Sequence, residues 1–363
     1  QKEKLINMKK KILICTGGSG GHVVPATIFY EHLKNEFDIK MTSDLRGFQF
    51  LDRHKYNIEV FNVPKISKNI FLLPFQFFLL LYLIVKAYFF LKKHKISILI
   101  STGGYMSLPL CMASIMLNTK LFLFEPNIVL GRSNRFFINF CEKIFCYSDM
   151  LKKFPNKLKN KISLIPTLLR KDFYNIKISE KIEDKINLLI IGGSQGAKLF
   201  DTAIKDSIIE LSKRYRLKIF QQTNPNNYNN LENFYLDNKI ENKLFNFSEN
   251  ISDFMIKTNI CITRAGASTL AELVFLKIPH IVIPLPSAKD NHQFANASFY
   301  QKLGCNWVLN QDDISKIKLV NLIVNIIENK EECLDKKKNM DNFNYQNSWN
   351  NINQKIITII NEN

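Results

Sequence analysis

Two segments of the chain follow one plan. KKILICTGGSGGH (Lys10 to His22) and KINLLIIGGSQGAK (Lys185 to Lys198) each run from a continuous apolar stretch through a glycine-rich turn into a helically patterned segment. An apolar run without period-two alternation is how a strand buried on both faces of a parallel sheet reads. The same pattern recurs in ISILIST ahead of Gly103-Gly104, in ICIT ahead of Arg264-Ala265-Gly266-Ala267, and in IPHIVIPLP (Ile278 to Pro286), which prolines end. Strands alternating with helical segments predict an α/β fold in which two Rossmann-like domains each carry a parallel sheet. A length of 363 residues suits two such domains, each with its own core, joined near Pro166 to Lys171.

Composition narrows the class less than the pattern does. A hydrophobic share of 46% excludes a disordered chain. The formal net charge of +18 is compatible with nucleic acid, an anionic membrane or an acidic substrate, and lysine-rich, asparagine-rich usage can also raise it without any partner. The seven cysteines are odd in number, form no CxxC pair and mostly lie in apolar runs, which predicts buried, reduced thiols rather than disulfides or a zinc site. The basic segment Gln1 to Lys11 lacks the apolar core and cleavage site of a secretory signal.

Glycines after a parallel strand let backbone approach a phosphate, and the following helix adds free N–H groups and a positive dipole end. The loops therefore point to a nucleotide or diphosphate, with tight-turn geometry as the alternative for any one of them. Neither loop has the GxxxxGK[ST] spacing of a P-loop or the GxGxxG of a dinucleotide fold. His22 stands directly behind the first loop, where a helix N-terminus favours a neutral imidazole able to accept a proton; a capping or structural role is equally open. Glu272, after RAGASTLAE, suits a ribose diol or simply a solvated helix face. Asp290, His292 and Gln293 form a polar cluster after the Pro284/Pro286 strand end, where α/β folds place ligands. No acidic pair or histidine cluster has metal-ligand spacing.

Phe71 to Leu91 (FLLPFQFFLLLYLIVKAYFFL) is long enough to span a bilayer. Gln76 and Lys86 within it, and a sheet strand directly after it, favour an amphipathic helix that is partly core and partly membrane-facing, beside Lys92, Lys93 and Lys95.

Taken together, the motifs resemble the MurG family, GT-B transferases that move N-acetylglucosamine from UDP-GlcNAc to lipid I, giving lipid II in peptidoglycan synthesis. GGSGGHVVPA (Gly17 to Ala26), GGYMSLP (Gly103 to Pro109), FEPNIVLGRSNR (Phe124 to Arg135), GGSQGA (Gly192 to Ala197), RAGASTLAE (Arg264 to Glu272) and KDNHQFANA (Lys289 to Ala297) occur in that family's order and spacing.

The resemblance implies a GT-B fold whose two Rossmann-like domains face each other across a cleft. The first comprises residues 1-168 plus 346-363 and serves the acceptor and membrane; the second, 169-345, binds UDP-GlcNAc. It implies Ser194 at a phosphate, the backbone of Ala267, Ser268, Thr269 and Leu270 along the nucleotide, Glu272 at the ribose, Gln293 at the sugar hydroxyls, and Arg170 near the phosphates. Ser19, Gly20, Gly21 and Asn127 would reach the donor sugar, and Ser248 the uracil. Gly18, Gly103 and Gly104 would hold the acceptor diphosphate, with His22 the general base.

The chain departs from the family in having Phe124-Glu125-Pro126-Asn127 for His-Glu-Gln-Asn and Pro166-Thr167-Leu168 for Gly-Asn-Pro. The implied mechanism is a single inverting displacement without cofactor or protein-bound metal. The implied place is the cytoplasmic face of the bacterial plasma membrane, peripherally bound, with other cell-wall synthesis proteins as potential neighbours and no nucleic acid. Competing readings are a GT-B transferase acting on diacylglycerol, a UDP-GlcNAc 2-epimerase-like enzyme, and a non-enzymatic nucleotide-sugar-binding or scaffold protein.

Overall fold

In the computed structural model, residues 9–63, 70–176, 185–193, 199–246 and 251–363 are described. The chain divides into two units, Gln1–Leu168 with Ser348–Asn363, and Leu169–Asn347.

The first unit runs β1 (Lys11–Cys15), α1 (Gly20–Leu33), β2 (Asp38–Ser43), a short α2 (Leu45–Phe48), β3 (Ile58–Val60), α3 (Leu73–Lys93), β4 (Ile98–Ser101), α4 (Leu108–Met116), β5 (Lys120–Glu125), α5 (Arg132–Phe137), β6 (Lys143–Cys146) and β7 (Ile162–Leu164). All pairings are parallel, in the order β3-β2-β1-β4-β5-β6-β7, with Ile14 opposite both Met41 and Ile100. The apolar runs need no alternation because both faces are covered. Leu13, Cys15, Leu99 and Leu123 pack with residues of α3 and α4, while Phe29 of α1 meets Phe124 and Phe145, its ring centroid 5.3 Å and 5.5 Å from theirs.

The second unit repeats the plan. It runs β8 (Ile186–Ile191), α6 (Lys205–Ser212), β9 (Leu217–Gln222), α7 (Tyr228–Asp237), β10 (Glu241–Phe245), α8 (Ile251–Met255), β11 (Ile260–Thr263), α9 (Ala267–Phe275), β12 (His280–Val282), α10 (His292–Lys302), β13 (Trp307–Val308), α11 (Lys316–Glu328) and α12 (Lys330–Asn344). Its parallel sheet has the order β10-β9-β8-β11-β12-β13.

The last helix, α13 (Trp349–Glu362), belongs to the first unit. The Ser348 hydroxyl caps it by accepting from the Asn351 amide, and Ile352, Ile356 and Ile360, four apart on one stripe, are fully buried. Trp349 stacks on His32 of α1 with ring centroids 3.7 Å apart. Burial pushes the His32 imidazole down to about 4.

The long apolar segment forms α3, which starts two residues later than its apolar run because Pro74 occupies the first turn, where its missing N–H is no loss. Its two halves differ. Leu83, Ile84, Ala87, Phe90 and Leu91 form a buried stripe at helical spacing on one face of the carboxyl half, whose other face leaves Val85 and Phe89 exposed. In the amino-terminal half Phe75, Phe77, Phe78, Leu81 and Tyr82 are exposed, Phe78 by 68%. The helix is long and apolar enough to cross a membrane by length and composition, and one face of its carboxyl half packs into the core of the first unit. All seven cysteines are free and six are buried, where burial pushes Cys111 up to about 12.

Candidate active site

In each sheet the strand order reverses beside the first strand, between β1 and β4 and between β8 and β11. Ligands of open α/β sheets bind at the carboxyl ends of strands at this switch point, because the flanking connections leave on opposite faces and open a crevice. The sequence motifs fall there: Gly17 to Gly21 follows β1, Gly103-Gly104 follows β4, Gly192-Gly193 follows β8, and Arg264 to Gly266 follows β11.

In the first unit, His22 lies in the first turn of α1, and its Nδ1 donates to the Thr102 carbonyl oxygen at 2.7 Å. A carbonyl can only accept, so Nδ1 carries the proton and Nε2 keeps its lone pair in the neutral ring. Thr102 is itself tied to β1, its amide donating to Cys15 O at 3.1 Å and its hydroxyl lying 2.9 Å from that of Thr16. The ring packs against the second glycine pair. A Cβ on Gly103 would sit 3.5 Å from His22 Cε1, and one on Gly104 3.5 Å from Nε2. Both glycines have positive φ, +89° and +82°, a region side chains disfavour, so the loop is built for glycine twice over.

The first glycine loop is partly committed to itself. The Gly18 amide donates to Asp44 Oδ1 at 2.8 Å, Ser19 N to Gly17 O at 3.1 Å, and His22 N to Ser19 O at 3.0 Å. Gly18 was expected among the diphosphate donors; its N–H is instead spent on a buried carboxylate. The amides of Gly20 and Gly21 have no acceptor among the described residues, as the first N–H groups of a helix require. Ser19 is the N-cap residue, yet its side chain makes no capping bond.

Asn127 is held by Glu125, to which the sequence alone assigns no role. Glu125 is 3% exposed and accepts from Asn127 Nδ2 (2.9 Å), Asn127 N (3.2 Å), Gly131 N (2.7 Å) and Asn134 Nδ2 (3.0 Å). One carboxylate thus shapes the whole FEPNIVLGRSN turn. Its signal was an acid ending an otherwise apolar strand.

In the second unit the turn after β11 is gripped from three sides. Arg264 donates through Nη1 to the carbonyls of Ile283 and Pro284 (3.0 and 3.2 Å) and through Nη2 to Gln311 Oε1 (2.8 Å). Gln293 Oε1 accepts from Ala265 N (3.3 Å) and Leu285 N (3.0 Å), and Asn296 Nδ2 donates to Ala265 O (3.1 Å). Gln293 therefore turns its carbonyl inward, which leaves the Nε2 end as the group facing outward. With the turn fixed, α9 presents the amides of Ala267, Ser268 and Thr269 at its N-terminus without a side-chain cap. Leu270 differs from these three, since its amide donates to Gly266 O at 3.0 Å and its side chain is fully buried.

Two residues expected at different parts of the nucleotide meet here. Arg170 Nη2 lies 3.5 Å from Glu272 Oε1. Burial pushes the Glu272 carboxyl up to about 7, and the Arg170 charge opposes that rise. The segment before α10 carries two consecutive left-handed residues, Asp290 (φ +53°) and Asn291 (φ +55°), backbone strain that clusters at functional sites. Gly193, φ +80°, donates its amide to Gln222 Oε1 at 3.0 Å. Ser194 and Ser248 lie outside the described residues.

Residues 12–146 match the glycosyltransferase family 28 N-terminal domain and residues 187–354 the glycosyltransferase family 28 C-terminal domain. The chain is 61% identical, over 98% of its own length and 100% of the other's, to the UDP-N-acetylglucosamine--N-acetylmuramyl-(pentapeptide) pyrophosphoryl-undecaprenol N-acetylglucosamine transferase of Pelagibacter ubique (strain HTCC1062). It is 34% identical to the protein of that name from Rickettsia bellii (strain RML369-C), over 91% of this chain and 94% of that one. Among solved structures, Acinetobacter baumannii MurG superposes with a TM-score of 0.76 at 22% identity, covering 98% of this chain and 100% of that one. A UDP-GlcNAc 2-epimerase from Neisseria meningitidis shares the fold with a TM-score of 0.65 at 15% identity, over 97% of this chain and 100% of that one. With both family 28 domains in order and near-full-length identity to a named transferase, the chain belongs to the MurG family of N-acetylglucosamine transferases.

Proposed function

We infer that the chain transfers N-acetylglucosamine from UDP-GlcNAc to the C4 hydroxyl of the muramyl sugar of lipid I, giving lipid II for peptidoglycan synthesis. The observation that carries this is the 61% identity over 98% of the chain to a transferase of that specificity. In this reading the first unit takes the lipid-linked acceptor and the second takes the donor.

The residue roles proposed here are those the family resemblance implies, and the local geometry supports several of them. His22 is the general base: with Nδ1–H held on the Thr102 carbonyl, Nε2 is the atom that removes the C4 hydroxyl proton as the oxygen attacks the anomeric carbon. The glycosidic bond to the UDP oxygen breaks from the opposite face, so the anomeric configuration inverts. Negative charge grows on the departing diphosphate, and the uncapped N-terminus of α9 with Arg170 offsets it. Ser194 in GGSQGA is proposed to add a hydrogen bond to a phosphate, and Ser248 to meet the uracil. Glu272, as carboxylate, accepts from the ribose hydroxyls. Gln293 Nε2 and Asn127 serve the sugar, as do Ser19 and the free amides of Gly20 and Gly21. Gly103 and Gly104 line the acceptor diphosphate beside His22.

The exposed amino-terminal half of α3 is proposed to lie in the headgroup region of the bacterial plasma membrane on its cytoplasmic face, with the anchored half holding it to the fold. Incubating the protein with labelled UDP-GlcNAc and a short-chain lipid I analogue tests the assignment. Labelled lipid II analogue is expected; transfer to diacylglycerol, or formation of a 2-epimer with no transfer, would overturn it.

A further inference from the structure

Backbone amides orient a diphosphate but do not supply a full positive charge to it, and the amides of the first loop are partly committed elsewhere. The residue that answers both points is Arg46, in the short helix α2 after β2. It is placed by Asp44, which is fully buried at the carboxyl end of β2, beside β1. Asp44 Oδ1 accepts from the amides of Gly18 (2.8 Å) and Gly47 (2.9 Å). Asp44 Oδ2 accepts from two nitrogens of Arg46, Nε at 2.8 Å and Nη2. A two-point fork of this kind fixes the plane of a guanidinium, not merely its position.

Arg46 also reaches the second loop. Its guanidinium carbon lies 4.9 Å from the ring centroid of Tyr105, the residue after Gly103-Gly104. One cation is thus tied through Asp44 to Gly18 and through Tyr105 to the other glycine pair, and yet 42% of its side chain is exposed. The contact at Gly17 is equally tight, for a Cβ there would come within 2.6 Å of Asp44 Oδ1. A lone buried carboxylate under an anion-binding loop would repel the anion. Paired with Arg46 the carboxylate is offset, and the guanidinium edge that Asp44 does not bind is left to meet an anion.

We propose that Arg46 binds the pyrophosphate of the lipid-linked acceptor. This rests on the reading of the two loops in the first unit as the acceptor site. Asp44 is the positioning residue, Arg46 supplies charge and a forked donor set, and the glycine loops supply the N–H groups around them.

Kinetics of the wild type, Arg46→Gln and Arg46→Lys with a short-chain lipid I analogue, and with an analogue carrying a monophosphate in place of the pyrophosphate, test the proposal. Arg46→Gln is expected to raise the acceptor KM about 10- to 100-fold, the usual weight of a charge-assisted contact, while the UDP-GlcNAc KM stays within about twofold. Arg46→Lys, which keeps the charge but loses the fork, is expected to fall in between. On the monophosphate analogue the penalty is expected to shrink, because one of the two phosphate groups that the guanidinium would bridge is gone. An unchanged acceptor KM, equal rises in both KM values, or the same penalty on both analogues would overturn the proposal and leave Arg46 as scaffold. Wild-type protein that transfers to neither acceptor would overturn the functional reading itself, and this proposal with it.

Discussion

Replacing Glu272 by Gln separates the cost of the donor site from its use. The carboxyl is buried on α9 and pushed up to about 7 from an ordinary 4.5 by desolvation, against the opposing charge of Arg170. The folded state therefore holds the proton more tightly than the unfolded chain does. The stability this group contributes is fully present below pH 4.5 and is lost as pH rises through 7. Moving the carboxyl from 4.5 to about 7 corresponds to about 3 kcal/mol. Glutamine stands in for the protonated carboxyl, so the Arg170 attraction is already contained in that figure. Glu272→Gln is expected to melt higher than the wild type at pH 8.5 by roughly 6 to 12 °C, given about 2 to 4 °C per kcal/mol for a unit of this size. The two proteins are expected to converge near pH 4.5. UDP-GlcNAc binding, measured by calorimetry at pH 8, is expected to weaken about 10- to 100-fold in the variant, since an amide replaces a charged acceptor at the ribose. A melting difference that stays constant from pH 5 to pH 8.5 would refute the titration argument. Unchanged donor affinity would remove Glu272 from the ribose.

His22→Ala is expected to cut kcat by about 10²- to 10⁴-fold with the UDP-GlcNAc KM within twofold, the range for loss of a positioned base; steady-state rates that match the wild type would take the base role away from it. Polar residues at Phe78, Leu81 and Val85, which are 68%, 42% and 52% exposed, are expected to abolish co-flotation with anionic vesicles while the melting temperature holds. Full flotation of that variant would place the membrane surface elsewhere. His32 and His280 are buried with imidazoles pushed down to about 4 by desolvation, so the stability they contribute is present above pH 6.5 and lost as pH falls toward 4. His32→Gln is expected to narrow the melting-temperature loss between pH 7.5 and pH 5, and an undiminished loss would exclude His32 as a cause.

Much of the architecture was legible because it rests on short-range pattern. A strand buried on both faces reads as an unbroken apolar run, and the glycine turns mark its carboxyl end, so β1, β4, β8, β11 and their loops stood out together. What the chain did not disclose depends on neighbours distant in sequence. Asp44 lies 26 residues from Gly18 and meets it only because β2 pairs with β1. That bond takes up an amide which, on sequence, belongs to a phosphate loop. The inward turn of Gln293, which donates nothing to Ala265 N or Leu285 N but accepts from both, depends likewise on the end of β12 arriving beside the turn after β11. The division of α3 into an anchored and an exposed half could not be read from composition either, since both halves are apolar and only packing against α4 and the sheet tells them apart.

The two sheets share the strand order around their switch points, yet each handles a buried acid there differently, and that difference bears on the proposed diphosphate sites. Burying a carboxylate beside an anion site is unfavourable unless a cation or a proton offsets it. In the first unit the cation is fixed: Asp44 holds Arg46 through two of its nitrogens and also accepts from two backbone amides. In the second unit the pair is loose, with one nitrogen of Arg170 at 3.5 Å from Glu272, and the acid is left to titrate near neutrality. A loose pair can open, freeing the arginine for phosphate oxygens and the carboxylate for ribose hydroxyls at the same time. Donor binding should then steepen the approach to neutrality: UDP-GlcNAc, which takes up the ionised Glu272, is expected to release close to one proton on binding below pH 7 and none well above it. Calorimetry of donor binding in buffers of different ionisation enthalpy reads that number directly. A proton count of zero at pH 6 would mean that Arg170 and Glu272 stay locked together in the complex, and that the second unit handles its buried acid as the first one does.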